Sequence, residues 1–201
     1  MTKYDPADDD FEGKIANLAL KELEREHKLP PGYLMALRSA ASDWDFIVKL
    51  SLIIEAFLTR ALVLELGTPH AYKTVSNLRQ CKRLLMAQKL GLVEKAEQNM
   101  LISISKIRNA FVHRIENLTR PLTAYFHELT PATRNSIAKS ILGVGIPGQL
   151  GQAGNQLAIN QFADNFRPTV IRALFPTLLK LGTSYEIEQR EKKYSKWRAE
   201  Q

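Results

Sequence analysis

The chain has 201 residues, 45% hydrophobic and 24% charged, which fits one folded domain with its own core and excludes wholesale disorder. A single cysteine, Cys81, rules out an intrachain disulfide and leaves a cysteine-based zinc site without a second thiolate. No apolar run reaches the roughly 18 residues of a membrane span, the acidic start (Asp5, Asp8, Asp9, Asp10) reads against a signal peptide, and the expectation is a soluble cytoplasmic protein.

Helical periodicity runs through almost the whole chain, with no alternating strand pattern and no hairpin signal. Asp10 is placed to cap a first helix over 11–28, which Pro30-Pro31 ends, and a short helix follows over 32–41. Ser42 stands three residues before Asp45, a capping-box spacing, and opens a helix over 43–66 that Gly67 stops. Ile47, Leu50, Ile54, Phe57, Leu58, Ala61 and Leu64 form its apolar stripe. Phe46, Leu52, Ile53 and Leu62 lie off that stripe, so this helix is expected to be central and covered on more than one side. Residues 68–75 read as a loop. The next helix, 76–90, pairs an apolar face (Leu78, Cys81, Leu85) with a basic one (Arg79, Lys82, Arg83, Lys89) and ends at Gly91. A third long helix covers 93–115.

Thr130-Pro131 starts a further helix that stops near Gly143. Five of the ten glycines then fall in 143–154, the best boundary in the chain. That run lacks the ending of a P-loop and does not follow a strand, so no nucleotide site is read there. Helical segments over 155–166 and 168–181, the second interrupted by Pro176, and a polar helix over 184–199 follow. The division expected is a helical-bundle domain over 1–142, a Gly-rich loop over 143–154, and C-terminal helices over 155–201 that pack on the bundle. The fold class is all-α, an antiparallel helical bundle.

Charge is uneven along this frame. Residues 1–66 carry a net −4 and residues 67–120 a net +7, as much as the whole chain. A field of that sign favours a polyanion, and phosphate backbones are the commonest one. Arg79, Lys82, Arg83 and Lys89 are the candidate nucleic-acid contacts. Direct DNA binding by their helix is the weaker form of this reading, because no helix-turn-helix pair with a tight glycine turn is visible.

Four histidines (His27, His70, His113, His127) show no metal-ligand spacing, so no metal site and no cofactor are expected. No motif supports a covalent nucleophile. His27 and His70 lie near prolines in turns, and His127, beside Tyr125 and Phe126, reads as a packing residue. The informative run is Ile107 to His113. At about 100° per residue, Met100, Ile104, Ile107, Phe111 and Ile115 form the core seam, and Ile102, Lys106, Asn109 and His113 a second stripe opposite. Asn109 and His113 are i,i+4 neighbours. Arg108 lies about 140° from His113, so a bend, a long Arg reach or a second copy across a two-fold axis is needed to bring the two together. Glu55, within an apolar stretch, is the expected carboxylate partner of Arg108.

Arg108-Asn109-Ala110-Phe111-Val112-His113 resembles the Arg-polar-x-x-x-His signature of the HEPN superfamily of helical ribonucleases and nucleotide-binding domains. Asp43-Trp44-Asp45 leading to Glu55, the Lys89-Leu90-Gly91-Leu92 helix end and the Ile-Arg-Asn-x-Phe-x-His helix together resemble its mannitol-repressor (MltR-like) branch. The resemblance covers about 43–130, and Val112 departs from the small residue usual before the histidine. It implies a dimer whose two motif helices face each other across a cleft, cutting RNA without metal. His113 would move protons, Arg108 would stabilise charge on the phosphoryl oxygens, and Asn109 would orient the histidine or a phosphate oxygen. Glu55 and Lys106 would support them. Such a ribonuclease would be of the toxin or phage-defence kind, with an antitoxin as a protein partner. The same resemblance implies an alternative: a catalytically silent regulator or co-repressor that binds a protein or nucleic-acid partner.

Overall fold

The computed structural model describes residues 18, 21–25, 29–68, 70–145 and 161–199, with side chains described only as far as 182. Eight helices and no strand are present among them. They are α1 (Tyr33–Arg38), α2 (Asp43–Leu66), α3 (Ala71–Ser76), α4 (Gln80–Lys89), α5 (Lys95–Val112), α6 (Leu122–Glu128), α7 (Pro131–Gly145) and α8 (Phe166–Ala199), with a 3-10 turn at Ile115–Leu118. No described helix is long and apolar enough to cross a membrane. The Asp10 cap, most of the first helix over 11–28, the loop from 146 onward and most of the segment over 155–166 lie outside the described residues.

α2 is the hub. Ser42 Oγ accepts from the Asp45 N–H at 3.1 Å, and Gly67 closes the helix at φ 57°, a left-handed conformation that costs glycine nothing. Phe46, Ile47, Leu50, Ile53, Ile54, Phe57, Leu58, Ala61 and Leu62 are all buried, so two faces are covered, as the sequence predicts. α3, α4 and α5 pack on one part of it and α8 on another. Leu52 is the exception among the off-stripe residues. It is 53% exposed, because no described element crosses that face.

Several boundaries differ from the sequence reading, each for a local reason. Residues 68–75 are not a loop: Ala71 and Val75, four apart, bury one side of the short helix α3 against α2. α4 starts at Gln80 rather than 76, because Arg79 is extended (φ −62°, ψ 149°). With the start moved, Leu84 and Ala87 become its core face, while Leu85 and Cys81 are exposed and Leu78 is half-buried. α5 stops at Val112, so Ile115, expected in the core seam, swings out on the 3-10 turn to 78% exposure. α7 runs through Gly143 to Gly145.

The two C-terminal segments expected over 168–181 and 184–199 are one helix, α8, with Pro176 inside it. Proline in a helix interior costs about 3 kcal/mol. Burial of Val170, Ala173, Leu174, Leu178 and Leu181 on both sides of it outweighs that. Phe166, Val170 and Leu174 belong to the same core as α2 and α5, and α8 packs against α2 and α7. A chain of aromatic rings carries the contact inward. Phe126 lies 5.4 Å from Phe162 and 5.1 Å from Phe166, and Tyr125 lies 5.5 Å from Phe111 of α5.

Candidate functional site at the end of α5

α5 is fixed at both ends. At its start, Glu94 and Glu97 form a reciprocal capping box, with the Glu94 N–H donating to Glu97 Oε2 at 2.6 Å. Glu97 also accepts from Thr177 Oγ1 at 3.2 Å and Lys180 Nζ at 3.1 Å, which ties α5 to α8. At its end, buried Asn117 donates from Nδ2 to the carbonyls of Ala110 and Phe111, both at 3.2 Å. Helix ends leave such carbonyls without intrahelical partners. One side chain therefore sets the turn on which His113 stands.

The motif residues follow from this frame. Ile107 and Phe111 face the core, and Ile104 and Met100 continue that seam, as expected. Lys106, Asn109 and His113 are exposed on the opposite side, with Ile102 half-buried against the core edge. Arg108 is half-buried and donates from Nη1 to Asn109 Oδ1 at 3.0 Å. His113 is the C-cap residue and lines a shallow cavity of about 540 Å³ with Arg114, Glu116, Asn117 and Arg120. A single chain thus joins Arg108 to Asn109 but does not close Arg108 onto His113.

The expected Glu55 to Arg108 pair is absent among the described residues. Glu55 instead lines a separate cleft on α2 with Thr59, Arg60 and Arg83. Arg108, one residue from a good acceptor, uses Asn109 in its place. Of the basic set on α4, Arg79, Lys82 and Lys89 are exposed. Arg83 is not a free surface cation: its Nε donates to the Leu78 carbonyl at 3.0 Å and its Nη1 to Thr59 Oγ1 at 2.8 Å, tying α4 to α2. His127 is exposed rather than packed, because α6 buries Leu122 and Phe126 and turns the next residue outward.

No family model matches this chain, and neither does any curated protein or solved structure. The chemistry of the site rests on its own geometry.

Arg114 and Arg120, beside His113, lie outside the motif and do not follow from it. Arg108, Arg114 and Arg120 do recur every six residues, a signal the sequence carries. Arg120 is held by Asn117 Oδ1 at 3.5 Å, by the Ala124 carbonyl at 3.3 Å and by an ion pair with Glu128, and it lies 6.0 Å from the Tyr125 ring centre. The hydrogen bond from Arg120 holds the Glu128 carboxyl below the usual glutamate range. Burial pushes the Tyr125 phenol up, against the opposing charges of Arg114 and Arg120. Among the described residues, no group of three or more His, Cys, Asp or Glu side chains is placed to hold a metal ion. Half-buried Arg108 and exposed Arg114 can donate hydrogen bonds to an anion, and exposed His113 can exchange protons.

Proposed function

We propose that the chain is a HEPN-like endoribonuclease of toxin or defence type, related to the MltR-like branch, which binds RNA at the end of α5 and cleaves it through His113 without a metal. The observation that carries this reading is the exposure of Asn109 and His113 on one face of α5, with Arg108 bonded to Asn109 and Arg114 beside His113. Imidazole changes charge nearer neutrality than any other side chain, so it can take the proton of a ribose 2′-hydroxyl or return one to the leaving 5′-oxygen. Attack of the 2′-oxygen on phosphorus breaks the bond to the 5′-oxygen and leaves a 2′,3′-cyclic phosphate. Arg108 neutralises charge that builds on the phosphoryl oxygens, and Asn109 holds that guanidinium. A homodimer with the two motifs facing one groove supplies the second half of the site.

The test is incubation of the purified protein with single-stranded RNA in a metal chelator. Cleavage with cyclic-phosphate ends is expected. His113→Ala should lower the rate by about 10²–10⁴-fold while leaving the fold and RNA affinity intact, because His113 is exposed and outside the core. Cutting that survives His113→Ala overturns the catalytic role. Binding without any cutting by the natural protein favours the regulator reading, in which the same basic face holds a partner without reaction.

A further inference from the structure

The 3-10 turn Ile115–Leu118 carries an apolar surface directly beyond His113. Ile115 is 78% exposed and Leu118 is 44% exposed. A 3-10 turn has three residues per turn, so side chains three apart eclipse and these two fall on one side of it. Asn117, between them in sequence, is buried and bonded to the Ala110 and Phe111 carbonyls. Those bonds brace the turn, so the aliphatic pair is presented on a fixed backbone.

Ile115 also lines the cavity of about 540 Å³ beside His113, a size within the range of about 300–1,000 Å³ usual for small-molecule sites. The other walls carry both signs of charge: Arg114 and Arg120 are cationic and Glu116 is anionic. Arg120 is committed to Asn117, Ala124 and Glu128. The side chains of Arg114 and Glu116 are exposed and make no hydrogen bond or ion pair with any described residue. The cavity therefore offers one spare guanidinium fork and one spare carboxylate beside an aliphatic wall.

A carboxylate repels phosphate, so Glu116 suits a different part of the polymer. It accepts hydrogen bonds and does not donate them. Of the RNA bases, guanine alone presents two parallel donors, N1–H and N2–H, on its Watson–Crick edge, and these match the two carboxylate oxygens. Adenine and cytosine offer one amino group beside a ring-nitrogen acceptor. Uracil offers one N–H between two carbonyls. Each of these sets an acceptor against the carboxylate. Ile115 gives the flat face of a base an apolar wall, and Arg114 supplies the fork that an adjoining phosphate takes.

We propose that the cavity beyond His113 is a guanine-recognition subsite, in which Glu116 accepts from N1–H and N2–H of a guanine next to the phosphate that faces His113, Ile115 packs on its ring and Arg114 holds a phosphate. Glu116 thereby sets base specificity. The inference rests on the reading of this end of α5 as an RNA site, and it does not require that the RNA be cut.

The experiment has a binding arm and a cleavage arm. Calorimetric titration of the natural protein with the four nucleoside 3′-monophosphates should give guanosine a dissociation constant at least about tenfold below the others. Inosine 3′-monophosphate, which lacks the N2 amino group, should fall between. Glu116→Gln keeps one acceptor and adds a donor, so it should cut the guanosine preference to less than about threefold. Ile115→Ala should weaken every nucleotide and leave inorganic phosphate unaffected, whereas Arg114→Gln should weaken both. All three side chains are exposed, and circular dichroism of each variant checks the fold. In the cleavage arm, end-mapping of a mixed-sequence RNA should place the cuts beside guanosines, and Glu116→Gln should spread them over all bases. No nucleotide binding, equal affinity for the four nucleotides, a guanosine preference that survives Glu116→Gln, or inorganic phosphate that binds as tightly as guanosine 3′-monophosphate overturns the proposal. Cuts placed at every base alike by the natural protein also overturn it, and the ribonuclease reading then stands alone. Guanosine preferred in binding with no RNA cut leaves the subsite standing and removes only the ribonuclease reading.

Discussion

Glu24 is a carboxylate in an almost fully buried position, and it is there for the backbone. Its two oxygens accept from the Gly32 and Leu34 N–H groups, each at 2.6 Å, at the start of α1. Gly32 sits at φ 79°, where the chain turns into that helix and a side chain would be strained. Glu24→Ala strands a buried donor, so a loss of about 1–3 kcal/mol is expected. In a domain of this size, each 1 kcal/mol lowers the midpoint by about 2–4 °C, which calorimetry resolves. A second residue-scale expectation concerns acid. The bond from Arg120 lowers the folded carboxyl of Glu128 below its ordinary 4.5. The stabilisation is therefore present above the ordinary glutamate value and is lost as pH falls through the lower folded value. Carboxyl-carbon NMR should show Glu128 titrating below a free glutamate, and Arg120→Gln should move it back up. An unchanged midpoint in that variant would sink the assignment of cause.

Between elements, the tie that holds most together is Asp43. Its Oδ1 accepts from Arg167 Nε at 2.6 Å and its Oδ2 from the Leu122 N–H at 2.7 Å, joining the starts of α2, α6 and α8. Arg167 reaches the Ala40 carbonyl at 2.8 Å as well and lies 5.4 Å from the Phe46 ring centre. A double-mutant cycle of Asp43→Ala and Arg167→Ala in urea should give a coupling of about 1–3 kcal/mol. Additive losses would show that the two act separately. Asp43 is legible from the sequence only as a helix-start acid, because nothing local points to an arginine 124 residues away. The same limit explains the other differences. The bounds of α2 are readable because Ser42 and Gly67 act on their own neighbours. The core seam of α5 is readable from Met100 to Phe111 because periodicity reports burial. Its end is not, because Asn117, six and seven residues on from the carbonyls it holds, has no sequence signature. α3 is too short for periodicity to reveal, and α8 keeps Pro176 through tertiary burial that outweighs a local rule. At the candidate site, the exposed positions of Asn109 and His113 are readable, whereas the partner of Arg108 is not: the sequence shows that Glu55 is half-apolar in context but not where it points.

For the molecule as a whole, charge separates two kinds of binding contribution. Residues 67–120 hold the net +7, yet Arg83 and Arg120 use their donors inside the fold. On α4, exposed Arg79, Lys82 and Lys89 remain for a polyanion, in addition to exposed Lys106 and Arg114 near the end of α5. If RNA binds there, affinity should fall steeply with salt. Removing one of these three should lower the slope of log K against log salt by about 0.7 for each phosphate of a single strand that is no longer neutralised. Arg83→Ala should instead act through stability, since it breaks the α4 to α2 tie. A salt slope untouched by all three exposed substitutions would place the polyanion elsewhere.

The long reach of the Asp43 to Arg167 pair also has a consequence in time. A ribosome delivers α8 after α2, α5 and α6, and α8 supplies Phe166, Val170, Leu174 and Leu178 to a core whose walls from those helices are made earlier. Until that helix clears the exit tunnel, the nascent chain shows Phe46 and Phe126 to its surroundings, with Asp43 lacking its cation. Partly built apolar surfaces of this kind are what chaperones hold and what aggregates at high expression. Slowing translation at any point before residues 166–181 have left the tunnel therefore prolongs an adhesive intermediate.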